Sequence, residues 1–348
     1  MNTNSFIQRA LELGYSNLGN VSPNPSVGAV LVKDNKIIAE GVTQPPGGDH
    51  AEINAIKKCT RDQLKDSILY VTLEPCSHTN KRTPPCTLKL IESDIKHIII
   101  GTTDKNPAVA HSGINALNSA GIKTTLLNDK SCEKLHEFFF QWITTKRPFV
   151  TIKAAVTPQG YITWGDGIKK KLTDETASTK VHELRKQHDA ILVGINTILK
   201  DDPQLNIRLV NGRSPIKIIL DSKLQTPIKS RVFNDGKTII YCDETPDNNL
   251  KAKALSTKCE VVQINPTNLN DVLTDLGKRN ITSVLVEGGA QIINSFITQK
   301  QANKCIFFIV DMQVENGYGL NNFKETLLNL KNRTTSRCGN ALVVEGYL

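Results

Sequence analysis

His50 and Glu52 stand two residues apart, followed downstream by Cys76 in Glu74-Pro75-Cys76 and by Cys86 in Pro84-Pro85-Cys86. One imidazole and two thiols can fill three of the four tetrahedral positions of zinc. An open fourth position is what separates a catalytic zinc from a closed structural one. Glu52 is then placed to carry protons to and from water at that position. The competing reading is a structural zinc site, or cysteines with no common task. A structural site wants a fourth Cys or His nearby and has no use for Glu52. His78 lies close to Cys76, but a loop histidine lining the pocket is the better reading.

The backbone has to satisfy conditions before these groups can meet. On a regular helix two residues subtend roughly 200°, which would send His50 and Glu52 to opposite sides. Both reach one ion only if His50 lies at or before a helix cap, and Gly47-Gly48-Asp49 just upstream gives the chain that freedom. Pro84-Pro85 suggests a proline in the first turn of the next helix, where its missing N–H is harmless. Cys86 then meets the positive helix end, which favours the thiolate. Around these motifs, residues 5–14 have helical apolar spacing, and 27–32 and 36–39 read as strands joined by a turn at Asp34-Asn35. Residues 68–73, 98–100 and 124–127 supply further strands. The alternation predicts a sheet covered on both faces, ending near Thr145 before Arg147-Pro148. A second α/β set follows, with strands at 149–152, 190–193, 216–220, 238–241, 261–262, 284–286 and 306–310, and helices near 176–186 and 290–298. The expected domains are therefore 1–145 and 146–348.

A chain of 348 residues suits two domains. No apolar run reaches the length of a membrane span, and the N-terminus lacks the basic-then-apolar pattern of a secretory signal. Eight scattered cysteines fit a reducing cytoplasm better than a disulfide framework. The formal charge of +9 is spread along the chain, and a phosphorylated substrate and cofactor would also favour a positive field. Low aromatic content with no stacking ladder argues against a nucleic-acid binder. The expected partner is a small molecule, with no nucleic acid and no membrane, in a homo-oligomer.

Pro75 directly before Cys76 matches the zinc-dependent nucleobase deaminases, in which the glutamate is acid/base and not a ligand. Their commonest cysteine spacing is Cys-x-x-Cys, so the ten-residue separation here marks a subgroup. Residues 22–30 (Ser-Pro-Asn-Pro-Ser-Val-Gly-Ala-Val), His50-Ala51-Glu52, 71–78 (Val-Thr-Leu-Glu-Pro-Cys-Ser-His), 82–86 (Arg-Thr-Pro-Pro-Cys), Asp104, Asn106-Pro107, Val109-Ala110 and Gly113 closely resemble the bifunctional riboflavin-biosynthesis deaminase–reductases. The resemblance runs over nearly the whole chain and is strongest in residues 1–145. It implies an α/β protein, a cytidine-deaminase-like three-layer sandwich followed by a dihydrofolate-reductase-like domain. It implies deamination of 2,5-diamino-6-ribosylamino-4(3H)-pyrimidinone 5′-phosphate in the first domain, with Zn2+ on His50, Cys76 and Cys86 and Glu52 as the catalytic acid/base. Asn24 would hold the pyrimidine, and Arg82, Asp104 and Asn106 the base and ribose phosphate. Ser22 replaces the family's usual His, and the loop between the cysteines is one residue longer.

In the second domain the resemblance rests on Lys153, Leu184-Arg185, residues 189–194, Thr197, Asp201-Asp202-Pro203, Leu205, Arg208, Asp221 and 286–289. It implies reduction of the ribosyl group to ribityl with NADPH. Arg185, Leu205, Arg208 and Glu287 would bind substrate, and Ala155, Lys171, Thr197, Asp201, Ser222, Gly288 and Gly289 the cofactor. A strand ending in Gly288-Gly289 before a helix allows backbone N–H groups to approach a phosphate, and an arginine pair such as Arg185 and Arg208 could clamp a second one. No Gly-x-Gly-x-x-Gly follows a first strand, which argues against a Rossmann site. The chain departs from the family at Gln159, where an acidic residue is usual, at Lys169 and Lys171, where Ser and Trp are usual, and at residues 311–316, where a Pro-x-Leu-x-Gly-Gly segment is missing. Two alternatives stay open on these residues alone: a deaminase carrying a degenerate second domain, and a different nucleobase deaminase.

Overall fold

The computed structural model describes residues 3–78, 84–107, 109–164, 172–312, 314 and 317–348. Arg82, Thr83, Lys169, Lys171, Gln313, Glu315 and Asn316, all within the motifs and departures named above, lie outside the described residues. The chain divides into two compact units, Met1–Lys146 and Arg147–Leu348. Among the described residues no helix is long and apolar enough to cross a membrane.

In the first unit, β1 (Gly28–Lys33) and β2 (Lys36–Val42) form an antiparallel hairpin. Its turn residues Asp34 and Asn35 take φ of 48° and 58°. That left-handed pair matches the twist of the flanking strands, and short Asx side chains tolerate it. With β3 (Ile68–Leu73), β4 (His97–Thr102) and β5 (Lys123–Leu126), the described sheet runs β2-β1-β3-β4-β5. β3, β4 and β5 are parallel, and β1 is antiparallel to β3. The period-two alternation of a strand sorts the core into two faces. Ala29 and Leu31 pack with Ala51, Ala55, Leu90 and Leu117, while Val30 and Val32 pack with Phe6, Ile7, Ala10 and Leu11 of the helix Thr3–Asn17. Helices on both faces of one sheet make the three-layer sandwich.

The second unit contains β6 (Phe149–Val156), β7 (Tyr161–Trp164), β8 (Ala190–Gly194), β9 (Ile216–Leu220), β10 (Thr238–Cys242), β11 (Glu260–Gln263), β12 (Ser283–Val286), β13 (Lys304–Val310), β14 (Gly317–Gly319), β15 (Lys331–Cys338) and β16 (Ala341–Tyr347). Its large sheet is ordered β11-β10-β9-β8-β12-β6-β13-β16-β15 among the described residues. Every neighbouring pair from β11 to β13 is parallel, and β16 is antiparallel to both β13 and β15. Central strands such as Ala190–Gly194 are buried on both faces, as their continuous apolar sequence requires. β15 and β16 were not expected from the sequence. β15, Lys-Asn-Arg-Thr-Thr-Ser-Arg-Cys, is exposed almost throughout and shows no apolar alternation, because it is an edge strand. Polar and basic side chains are how such an edge resists pairing with other chains.

Candidate active sites

In the first unit His50 is the N-cap of the helix Ala51–Ile56, with an extended backbone at φ −74° and ψ 163°. The chain reaches it through a turn in which Gly47 takes φ 98° and Gly48 N–H donates to the Pro45 carbonyl at 2.9 Å. Being outside the helical repeat, His50 turns to the same side as Glu52, which satisfies the geometric condition stated above. The second helix differs in detail from expectation. It spans Cys86–Ile91, and Pro85 is its N-cap, so the prolines precede the first turn and Cys86 is the first helical residue. An N-cap proline sets the chain direction without removing any intrahelical bond.

These two helix starts and the end of β3 bring three ligand atoms together. His50 Nδ1 lies 3.2 Å from Cys86 Sγ and 3.5 Å from Cys76 Sγ. All three ligand atoms fall within 4.8 Å of one another. Cys86 N–H donates to Cys76 Sγ at 3.4 Å, an interaction that favours a thiolate there. Among the described residues this is the group of His, Cys, Asp and Glu whose atoms converge as metal ligands would, and His78 is not part of it. One nitrogen and two sulfurs are the borderline and soft donors that suit zinc.

Glu52 is 3 % exposed. Burial pushes its carboxyl above the usual carboxylate range, and the nearby His50 only partly opposes this. A carboxyl group able to hold a proton beside the ligand cluster is what an acid/base step needs. Asp104 is buried and its Oδ1 accepts the Asn106 N–H at 2.8 Å, so these two residues form one local turn after β4. Asn24 lies in the half-buried turn closed by its own N–H on the Val21 carbonyl at 2.9 Å. Cys59 packs against the core around Ala55, and burial pushes its thiol up, in keeping with a packing role.

In the second unit the sequence-derived residues gather along one edge of one sheet. Ala155 lies near the end of β6, Thr197 and Asp201 in the helix Ile195–Asp201 after β8, Ser222 just after β9, and Glu287, Gly288 and Gly289 just after β12. The strands β9, β8, β12 and β6 are consecutive neighbours and parallel, so all these residues occupy their carboxyl ends. That edge is where open parallel sheets bind ligands. A Cβ on Gly288 would sit 2.6 Å from Ile292 Cβ, so tight packing already requires glycine there. Gly289, the N-cap of the helix Ala290–Thr298, has nothing within 4 Å of such a Cβ and leaves the helix start open.

Arg185 differs from the expected phosphate clamp. Its Nε and Nη2 donate to Glu287 Oε1 and Oε2 at 2.8 and 2.9 Å, and Nη1 donates to the Asn206 carbonyl at 3.1 Å. A fork already spent on a carboxylate does not present its bidentate face to phosphate. Burial alone would push the Glu287 carboxyl up, but Arg185 outweighs it, with Lys153 and His182 adding, and brings it down to about 2. Arg208 is exposed, and its backbone N–H donates to His182 Nδ1 at 3.1 Å. Leu205 is 3 % exposed and held at φ 53°, a strained position for a leucine. Helix Glu175–Gln187 thus grips the 205–208 segment through both His182 and Arg185. Sequence reasoning missed His182 in this role, and it assigned no task to Glu74; in both cases the partners lie far away along the chain.

The family model for the cytidine and deoxycytidylate deaminase zinc-binding region matches residues 1–102, and that for the RibD C-terminal domain matches residues 148–344. Riboflavin biosynthesis protein RibD of Actinobacillus pleuropneumoniae is 39 % identical over 87 % of this chain and 82 % of its own length. RibD of Aquifex aeolicus is 34 % identical over 98 % and 97 %. A solved structure from Thermotoga maritima, described as a diaminohydroxyphosphoribosylaminopyrimidine deaminase/5-amino-6-(5-phosphoribosylamino)uracil reductase, superposes with a TM-score of 0.84 at 36 % identity, covering 99 % of this chain and 97 % of that one. Acinetobacter baumannii RibD superposes with a TM-score of 0.86 at 27 % identity, covering 99 % and 98 %.

Proposed function

The chain belongs to the RibD family of riboflavin-biosynthesis proteins, a bifunctional deaminase and reductase, and from that premise we propose how its own residues divide the two reactions. In the first unit His50, Cys76 and Cys86 hold the zinc. Bound there, zinc supplies the Lewis acidity by which water ionises near pH 7 instead of near its bulk value. Glu52 takes a first proton from water and hands it to the pyrimidine ring nitrogen as the water oxygen bonds to the amino-bearing carbon. It then moves the second proton from the resulting hydroxyl to the amine, whose C–N bond breaks to release ammonia and leave the carbonyl. Its burial supports this work, since it raises the carboxyl above the usual carboxylate range and so favours its holding a proton between the two transfers. Asn24 orients the base, and Asp104 and Asn106 seat the ribose phosphate of 2,5-diamino-6-ribosylamino-4(3H)-pyrimidinone 5′-phosphate together with Arg82.

In the second unit NADPH supplies the hydride that converts ribosyl to ribityl. The open helix start at Gly289 would receive cofactor phosphate, with Gly288, Thr197, Asp201, Ser222 and Ala155 along the same edge, and Lys171 would add a cationic contact to the cofactor. Glu287, held ionised by Arg185 and close to Lys153, fixes the sugar with Leu205 and Arg208. Arg185 acts mainly on Glu287 and the Asn206 backbone. The chain works as a cytoplasmic homo-oligomer without nucleic acid or membrane; none of its eight cysteines forms a disulfide, in keeping with a reducing compartment.

The observation that carries this reading is the convergence of His50 Nδ1, Cys76 Sγ and Cys86 Sγ beside buried Glu52. A coupled assay with the diaminopyrimidinone ribosyl phosphate tests it. Ammonia release without NADPH, followed by NADPH oxidation only after deamination, is expected. No ammonia from zinc-loaded protein would overturn the deaminase assignment, and no NADPH oxidation with authentic deaminated substrate would overturn the reductase assignment.

A further inference from the structure

Glu74 precedes the Pro75-Cys76 pair and is 4 % exposed, and among the described residues its carboxylate contacts are made by backbone rather than by a cationic side chain. Those contacts are four backbone N–H groups. Oε1 accepts from Gly113 at 2.9 Å and Ile114 at 3.2 Å, and Oε2 accepts from His111 at 3.1 Å and Asp104 at 3.2 Å. The first two belong to the start of the helix Ser112–Ser119, whose N-cap His111 makes no side-chain cap bond of its own. Glu74 therefore caps that helix from another strand, where a negative charge also meets the positive helix end. Its other oxygen holds the backbone of Asp104, which in turn accepts from Asn106.

Two further contacts join the same segments. Ser77 Oγ and Ser112 Oγ lie 2.5 Å apart, and Ser112 Oγ also reaches the Val109 carbonyl at 2.6 Å. Gly113 approaches Pro75 so closely that a Cβ would fall 2.0 Å from the Pro75 carbonyl oxygen. The stretch 74–77 carries the ligand Cys76, and the stretches it grips carry Asp104 and Asn106.

Resting on the assignment of Asp104 and Asn106 to the ribose phosphate, we propose that Glu74 is a positioning residue that sets the distance between the zinc-ligand segment and the ribose-phosphate segment. It touches neither metal nor substrate. Both of its oxygens are fully used, so Glu74→Gln is a sharp probe: an amide nitrogen would face two backbone N–H donors with nothing to accept. Leaving buried donors unpaired in this way corresponds to roughly a 10- to 100-fold effect.

The test uses the full-length, zinc-loaded chain and the ribosylaminopyrimidinone phosphate. Glu74→Gln should retain one zinc and wild-type NADPH-dependent reduction of authentic deaminated substrate, while KM for deamination rises ~10- to 100-fold and kcat falls by less than about tenfold. A purely structural role would instead lower zinc content or the active fraction and leave KM unchanged, and that result overturns the proposal. Ser112→Ala, which removes the Ser77 link together with the Ser112 bond to the Val109 carbonyl but leaves the four Glu74 contacts in place, should move KM the same way by roughly 3- to 10-fold. It decides the matter if Glu74→Gln does not fold, and an unchanged KM in Ser112→Ala then sinks the idea. Wild-type protein that releases no ammonia would reject the deaminase assignment itself, whereas active wild type with unchanged variant KM rejects only the role of Glu74.

Discussion

His136 offers a stability prediction whose size follows from its surroundings. It is 1 % exposed, between the helices Lys130–Leu135 and Glu137–Thr145, and its Nε2 lies 3.2 Å from Thr72 Oγ1, which also accepts the Gly28 N–H at 3.2 Å. Burial pushes the imidazole from 6.5 down to about 3, against a smaller upward pull from Thr72. The folded protein thus keeps His136 neutral, while the unfolded chain protonates it below pH 6.5. The stabilisation is present above pH 6.5 and is lost as pH falls from 6.5 toward about 3. At pH 5 the unfolded chain is 1.5 units below its pKa, and at about 1.36 kcal/mol per unit His136 alone removes about 2 kcal/mol relative to neutral pH. His136→Gln removes the titration and keeps a polar group opposite Thr72. Denaturant unfolding of the first unit can be followed by Trp142 fluorescence in a Trp164→Phe background, since the chain has two tryptophans, one in each unit. The wild type should lose about 2 kcal/mol more than His136→Gln between pH 7 and pH 5. Curves that run parallel within about 0.5 kcal/mol would show that His136 is not held neutral, and the reasoning would fail.

The remaining predictions concern the two active sites and the second unit. Glu52→Gln should keep zinc and the fold while deamination drops by about 10²–10⁴-fold, read as ammonia release; near-normal turnover would remove Glu52 from the mechanism. Cys86→Ala should lose zinc by metal analysis and deamination with it, while reduction of authentic deaminated substrate persists; a zinc-replete variant would contradict the ligand assignment. Arg185→Ala should strand buried Glu287, lowering stability of the second unit by about 3–5 kcal/mol and selectively abolishing reduction, as thermal melts and NADPH oxidation would reveal. His188 is pushed down to about 4 by burial, with Nδ1 on the Leu184 carbonyl at 2.7 Å and Nε2 on Thr151 Oγ1 at 2.9 Å. The second unit should therefore also weaken by about 2 kcal/mol between pH 7 and pH 5, an effect that His188→Gln would remove.

The metal constellation was legible in the sequence because each of its conditions is local. A cap position, a glycine turn and a proline before a cysteine are read within a few residues, and together they oblige His50, Glu52, Cys76 and Cys86 to face one point. The β1–β2 hairpin and the buried strands were legible for the same reason, since a two-residue Asp34-Asn35 turn and runs of β-branched residues carry their own conformational preference. What only the tertiary structure decided involves partners distant in sequence. Glu74 meets its four donors 30 to 40 residues away, and Arg185 meets Glu287 across 102 residues. No spacing rule reports such pairs, because burial selects the partner after the sheet has formed. The placement of Thr197, Ser222 and Gly289 on one edge depends on strand order, which crossovers set and local propensity does not. β15 escaped notice because an exposed edge strand owes its shape to hydrogen bonds with β16 rather than to an apolar face.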